Sequence, residues 1–281
     1  MKRIMLLLAL IVVAGCQSDQ QAVAQSEEAA APAPDDGIPR TAAGQPDLSG
    51  IWQSLSDANW DLEPHAARQG ATEDLGTIGA VPPGLGVIDG DAIPYLPEAL
   101  AQRDQNFANR RTDDPEAKCF NPGIPRANYM PQPFQIIQTP SEIFVAYQYR
   151  LASRTIFLDE HVDIPVDSWM GWSNARWEGD TLVVEVTNQN GETWLDRAGN
   201  YGSANMRVIE RFTPMGANHI QYEATIEDPT VYERPWTISM PLYRRIEPNM
   251  QLLEFKCVVF AEELMYGHLS RDAAETEGGA E

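Results

Sequence analysis

From Pro133 onward the chain alternates apolar and polar residues with a period of two. Ile220, Tyr222, Ala224 and Ile226 are interleaved with Gln221, Glu223, Thr225 and Glu227, and Trp236, Ile238 and Met240 with Thr237 and Ser239. Leu253, Phe255, Cys257 and Val259 alternate with Glu254 and Lys256, and Ile143, Val145, Tyr147 and Tyr149 share one parity of an earlier run. Such alternation gives each strand one dry and one wet face. Glu178-Gly179-Asp180 reads as a short turn between two of the strands. About eight to ten such strands, separated by turns, predict a mainly β fold built as an antiparallel barrel or sandwich. A closed barrel satisfies the alternation without leaving sheet edges.

The first half of the chain is patterned differently. Pro97 stands where a helix accepts proline at its first position, and Glu98 to Arg111 supplies good helix formers, so one helix is predicted there. Leu62 to Pro94 is punctuated by Pro82-Pro83-Gly84, Gly86 and Asp89-Gly90-Asp91 and reads as a long excursion, either a lid or an insertion. Asn121 to Pro133 is a further proline-rich loop.

At the N-terminus, Lys2 and Arg3 precede an apolar run from Ile4 to Val13, closed by Ala14, Gly15 and Cys16. This is the pattern of a secretory signal peptide, too short for a membrane-spanning helix of about 20 residues. Its ending looks like a bacterial lipobox, in which Cys16 is lipidated and becomes the mature N-terminus. By resemblance to enterobacterial sorting, Gln17 in place of Asp favours the outer membrane, with the protein facing the periplasm. Residues 16–46 form an Ala/Gln/Pro-rich tether and residues 270–281 an acidic small-residue tail, both without the apolar bulk to build a core. One folded domain is left over residues 47–269.

Charge narrows the function classes. Asp and Glu number 41 against 20 Lys and Arg, a formal charge of −21, which excludes an electrostatic nucleic-acid binder and strong general attraction to anionic lipid. Membrane association is expected through the lipid alone. An oxidising compartment allows Cys119 and Cys257 to form a disulfide; two buried free thiols are the other reading.

Candidate chemistry is sparse. His65, His161, His219 and His268 include no pair at zinc-site spacing, no Cys-x-x-Cys exists, and no glycine-rich phosphate loop is present, so no metal and no cofactor is expected. Gly171-Trp172-Ser173-Asn174-Ala175 imitates a nucleophile elbow but leads into strand-like residues rather than a helix. Glu210 shares parity with Met206, Val208 and Phe212 and so faces the apolar side. There it is either a desolvated general acid or base, or one half of a buried ion pair with an arginine such as Arg234 or Arg207. Asp196 and His161 are the further acid–base candidates. Trp169, Trp172, Trp177, Trp194 and Trp236 crowd the strand-rich half, either as core or as the wall of a pocket for an aromatic, polycyclic or acyl ligand.

Two resemblances bear on this reading. Gly50-Ile51-Trp52 resembles the G-x-W that opens lipocalin-like barrels, where the Trp plugs the barrel floor. Over most of the folded body the chain also resembles a large family of uncharacterised exported bacterial proteins. The residues that carry this likeness are Cys119 to Arg126, Pro133 to Pro140, Arg176 to Val184, Thr193 to Asp196, Ile226 to Pro229 and Arg234 to Trp236. It implies a secreted, β-rich, lipocalin- or calycin-like domain and no particular activity. Members often carry His or Asp at the position of Trp172 and His at that of Gly202, so any catalytic group there is lost from this chain.

The sequence thus leads to a lipid-anchored envelope protein that binds a small hydrophobic or aromatic molecule in a barrel pocket. A cofactor-independent isomerase, lyase or hydrolase on the same scaffold is the alternative, and a structural envelope lipoprotein without ligand is the third reading.

Overall fold

A computed structural model describes residues 37–69, 73–158 and 166–269, all within one compact unit. Cys16 and His161 lie outside the described residues. Nine strands form a closed barrel: β1 Gly50–Ser54, β2 Phe134–Gln138, β3 Glu142–Tyr147, β4 Ser153–Leu158, β5 Trp172–Glu178, β6 Thr181–Thr187, β7 Arg207–Gly216, β8 His219–Glu227 and β9 Trp236–Arg244. Each pairs with its successor, and β9 returns to β1.

All of these pairings are antiparallel except β4 with β5. Closure requires that exception. Strand direction must be restored after one circuit of the ring, so the number of reversals must be even, and a nine-strand ring therefore needs a parallel pair. The chain must cross the length of the barrel between β4 and β5, as any parallel connection does.

The predicted parity sets the core. Leu182, Val184 and Val186 of β6, Val208 and Phe212 of β7, Ile220 to Ile226 at alternate positions of β8, and Trp236 to Leu242 at alternate positions of β9 are all buried. Each fully buried side chain of this size contributes about 1.5–3 kcal/mol by leaving water.

The two ends of the barrel differ. At the floor the β2–β3, β5–β6 and β7–β8 turns are short. Trp52 is buried there, its indole N–H donates to the Leu48 carbonyl at 2.9 Å, and the Arg244 guanidinium stacks 4.3 Å from its ring centre. The connections that join β1 to β2, β6 to β7 and β8 to β9 open at the opposite, loop end. That end is plugged by a single helical turn, Arg126–Tyr129, whose four residues are buried.

The helix expected over 98–111 is α1 Pro97–Ala108, which stops at Asn109 before a four-residue α2, Arg110–Asp113. The Leu62–Pro94 excursion, described over residues 62–69 and 73–94, packs in part on the sheet. Its segment Val87–Asp89 lies along β9, with Asp89 N–H donating to Thr237 O and Ser239 N–H donating to Val87 O, both at 2.8 Å. Because β1 reaches only Leu242–Arg244 of β9, this segment satisfies the edge that β1 leaves open.

Two strand expectations are corrected. Tyr149 falls after β3, in a turn that carries Arg150 and Leu151 at positive φ. Leu253 to Val258 runs without a bend or turn but belongs to no sheet, because β1–β9 pairing has already closed the ring and left no edge for a tenth strand, and Val259 falls in a turn. This segment is a strap along the outside. It is tied down by the Cys119–Cys257 disulfide, by Phe255 packed on Tyr149 at 5.1 Å, and by Leu253 N–H donating to Gln148 Oε1 at 3.0 Å. It ends in α3, Ala261–Tyr266.

Candidate functional site

Inside the barrel, parity brings Glu210 to the centre, fully buried as its pattern predicts. Its partner is Arg154 of β4 rather than Arg207 or Arg234. Nη1 donates to Glu210 Oε2 at 2.6 Å and Nη2 to Oε1 at 3.1 Å, a bidentate geometry. Arg207 is instead spent outside the barrel on Glu185 and Glu227, and Arg234 bonds the Pro235 carbonyl.

Asn128, from the plugging turn, donates to Glu210 Oε1 at 2.6 Å and to Tyr222 Oη at 3.0 Å. Tyr222 donates to Glu210 Oε1 at 2.9 Å, and Tyr147 donates to Asn128 Oδ1, also at 2.9 Å. Burial acts to lower the Arg154 pKa, but the Glu210 carboxylate outweighs it and holds the guanidinium charged. Burial pushes the Tyr147 and Tyr222 phenols up, so both stay protonated donors. Every carboxylate oxygen is engaged, which is the geometry of a structural ion pair. The void beside it, lined by Arg154, Asn128 and apolar side chains including Phe134, Val145 and Phe212, has a volume of about 10 Å³. That is room for about one water.

A second buried polar system sits at the loop end. Asp196 is fully buried and closes the turn 195–200: its carboxylate accepts from Leu62 N at 2.9 Å, Asn200 N at 3.1 Å and Asn200 Nδ2 at 2.6 Å. Burial pushes its pKa up to about 7, partly offset by the Asn200 and Leu62 bonds and reinforced by Asp61. Nearby, buried Arg126 donates to Asn59 Oδ1 at 2.8 Å, to both oxygens of Asp114 at 2.8 and 3.0 Å, and to Glu116 Oε2 at 2.6 Å. Arg126 thus ties the plug to Asn59 and to Asp114 and Glu116, while Asp196 ties the 188–206 connection to Leu62.

The five tryptophans do not share one wall. Trp172 lies on the outer face of β4 and β5, stacked on Phe157 at 4.9 Å, and Trp169 stacks on Phe120 at 4.7 Å. Trp236 is buried within the barrel edge-on to Tyr232, Trp177 packs against the core from the far end of β5, and Trp194 is buried in the 188–206 connection. Ser173 of the elbow-like motif is buried in β5, its Oγ 3.4 Å from Arg154 Nη1. Among the described residues no group of three or more His, Cys, Asp or Glu is placed to hold a metal.

Space for a ligand lies outside the barrel. An open groove of about 310 Å³ runs beside the strap at the disulfide, walled by Tyr149, Phe255 and Phe260 and bearing the cations Arg111, Arg197 and Lys256 together with the carboxylates Glu116 and Glu262, both of which pair with Arg197. Glu116 links its floor to the Arg126 system, and the Arg197 guanidinium also stacks 4.3 Å from the Trp60 ring. Sequence reasoning missed Arg154, although its parity with Ile156 and Leu158 points it inward. It also missed the groove, whose lining comes from four separate stretches of chain. No protein-family model, no curated protein and no solved structure matches this chain.

Proposed function

We propose that this chain is a lipid-anchored protein of the bacterial cell envelope, held through Cys16 at the outer membrane and facing the periplasm. We propose further that it binds a small aromatic or hydrophobic molecule bearing an acidic group. The leader pattern that ends in Cys16 supports the location. The groove carries the binding reading: its volume of about 310 Å³ falls in the range of small-molecule sites, and it combines aromatic walls with three cations, each paired within the chain to a carboxylate (Arg111 to Glu263, Arg197 to Glu262 and Lys256 to Glu254) that an acidic ligand displaces. The ligand's seat is the strap groove and not the barrel lumen.

Native mass spectrometry of the protein purified from a bacterial envelope, followed by titration with aromatic and acyl carboxylates, tests this reading. Trp60 beside Arg197 serves as the fluorescent reporter. A retained or titratable acid whose affinity falls about tenfold in Arg111→Ala, the order of one charge-assisted hydrogen bond, is expected. A clean apo mass with fluorescence unmoved by the panel overturns it.

The filled lumen favours a second reading, a structural or assembly lipoprotein without a ligand. Lipidation is tested separately, by the mass of the mature N-terminal peptide.

A further inference from the structure

We propose that the strap is a homodimerisation strand, through which two copies of this chain pair antiparallel about Phe255. The strand shares Phe255 and Lys256 with the groove of the proposed function, and its test reads association between chains rather than ligand binding.

Three observations lead there. The strap is extended and has the alternation of a strand, yet the closed ring excludes it. Among the described residues, no backbone N–H from Glu254 to Val259 finds an acceptor within the chain. An extended segment with unpaired amides is a template for another strand. Its outward side chains are also open to solvent: Glu254 is 75% and Lys256 82% exposed, and Val258 is 61% exposed.

The identity of the partner follows from the order of residues. In Leu252-Leu253-Glu254-Phe255-Lys256-Cys257-Val258, antiparallel pairing centred on Phe255 sets Glu254 opposite the partner's Lys256 and Lys256 opposite the partner's Glu254. On that face Leu252 meets the partner's Val258. On the other face Phe255 meets the partner's Phe255, and Leu253 meets the partner's Cys257. Opposite charges and apolar residues fall against each other at every cross-strand pair, the arrangement that stabilises a ladder. A two-fold interface requires this self-complementarity. The disulfide and the Phe255–Tyr149 contact hold the strap extended before the partner arrives, which reduces the ordering cost of pairing. A strand has two edges, so a partner on one leaves the other free toward the groove.

The test uses the full lipidated chain with two different affinity tags, co-expressed and extracted in mild detergent. Wild-type copies are expected to co-purify. Glu254→Lys places two lysines opposite two lysines, and Lys256→Glu places two glutamates opposite two glutamates; each alone is expected to lower co-purification by about tenfold. Co-expressing the Glu254→Lys chain with the Lys256→Glu chain is expected to restore it. Neither of those chains carries opposite charges within its own strap, so rescue reports pairing between chains and not the internal Lys256–Glu254 contact at 3.5 Å. Both positions are highly exposed, and intact disulfide in each variant verifies folding. Wild-type copies that fail to co-purify, co-purification indifferent to the single reversals, failure of the mixed pair to recover, or photo-crosslinks from position 254 only to another protein would each overturn the proposal.

Discussion

The Arg244 guanidinium lies 4.3 Å from the centre of the Trp52 ring and passes directly beneath Gly50, where an added Cβ would come within 2.1 Å of Arg244 Nη1. Gly50 also adopts a φ of +141°, a conformation L side chains rarely take. The glycine, the tryptophan and the arginine are therefore one floor device assembled from β1 and β9, the two strands that close the ring. Gly50→Ala is expected to destabilise the fold by about 1–3 kcal/mol, the cost of a strained backbone position. A lower urea midpoint with an unchanged slope would verify this.

At the barrel centre, Glu210→Gln leaves Arg154 charged, buried and uncompensated. The expected loss is about 3–5 kcal/mol. Replacing both partners, as in Arg154→Met with Glu210→Leu, is expected to recover a large part of that loss, because the desolvated charge is gone. Equilibrium unfolding of Arg154→Met, Glu210→Leu and the variant that carries both measures the coupling. Additive effects would show that the two side chains do not act as a pair.

Asp196 imposes a pH dependence whose sign is set by its buried carboxyl. Its pKa is raised from 3.8 in the unfolded chain to about 7 in the folded one. Between those values the folded state holds a proton that the unfolded state has lost, so this group's contribution to stability falls as pH rises from about 4 to 7. Asp196→Asn cannot titrate and is expected to flatten that part of the curve. Comparing unfolding free energies of wild type and variant at pH 5 and pH 8 checks it: the gap between them should narrow, or reverse in the variant's favour, at the higher pH.

The Cys119–Cys257 bond closes a loop with a sequence separation of 138 residues. In the chain-entropy model its removal costs about 5 kcal/mol. Cys119→Ser with Cys257→Ser is expected to lower the melting temperature and to raise amide exchange in the strap and α3 more than in β6 to β8. Limited proteolysis that cuts first between β9 and α3 would report the same release.

Much of the barrel was legible from the chain. The alternation of Ile220 to Ile226 and of Trp236 to Met240, the inward parity of Glu210 and the floor tryptophan after Gly50 were all readable. Period-two patterning is a local property that any strand with one buried face must display. The start of α1 at Pro97 was readable for a similar reason, since a helix N-terminus is specified within a single turn.

Only the tertiary structure decided the rest. Arg154 stands 56 residues from Glu210: its parity with Ile156 and Leu158 points it inward, but that it meets Glu210 across the lumen depends on the order of strands around the ring. The parallel β4–β5 pair follows from the parity of a nine-membered ring, a property of the whole circuit and of none of its strands. The same closure turned Leu253–Val259, as good a strand by pattern as β8, into a strap outside the sheet. Whether the lumen is hollow depends on how side-chain volumes from every strand and from the Arg126–Tyr129 plug sum in one place. Alternation determines which side chains face inward; packing across the barrel decides that they leave a void of about 10 Å³ beside the Arg154–Glu210 pair, while a groove of about 310 Å³ lies outside, beside the disulfide.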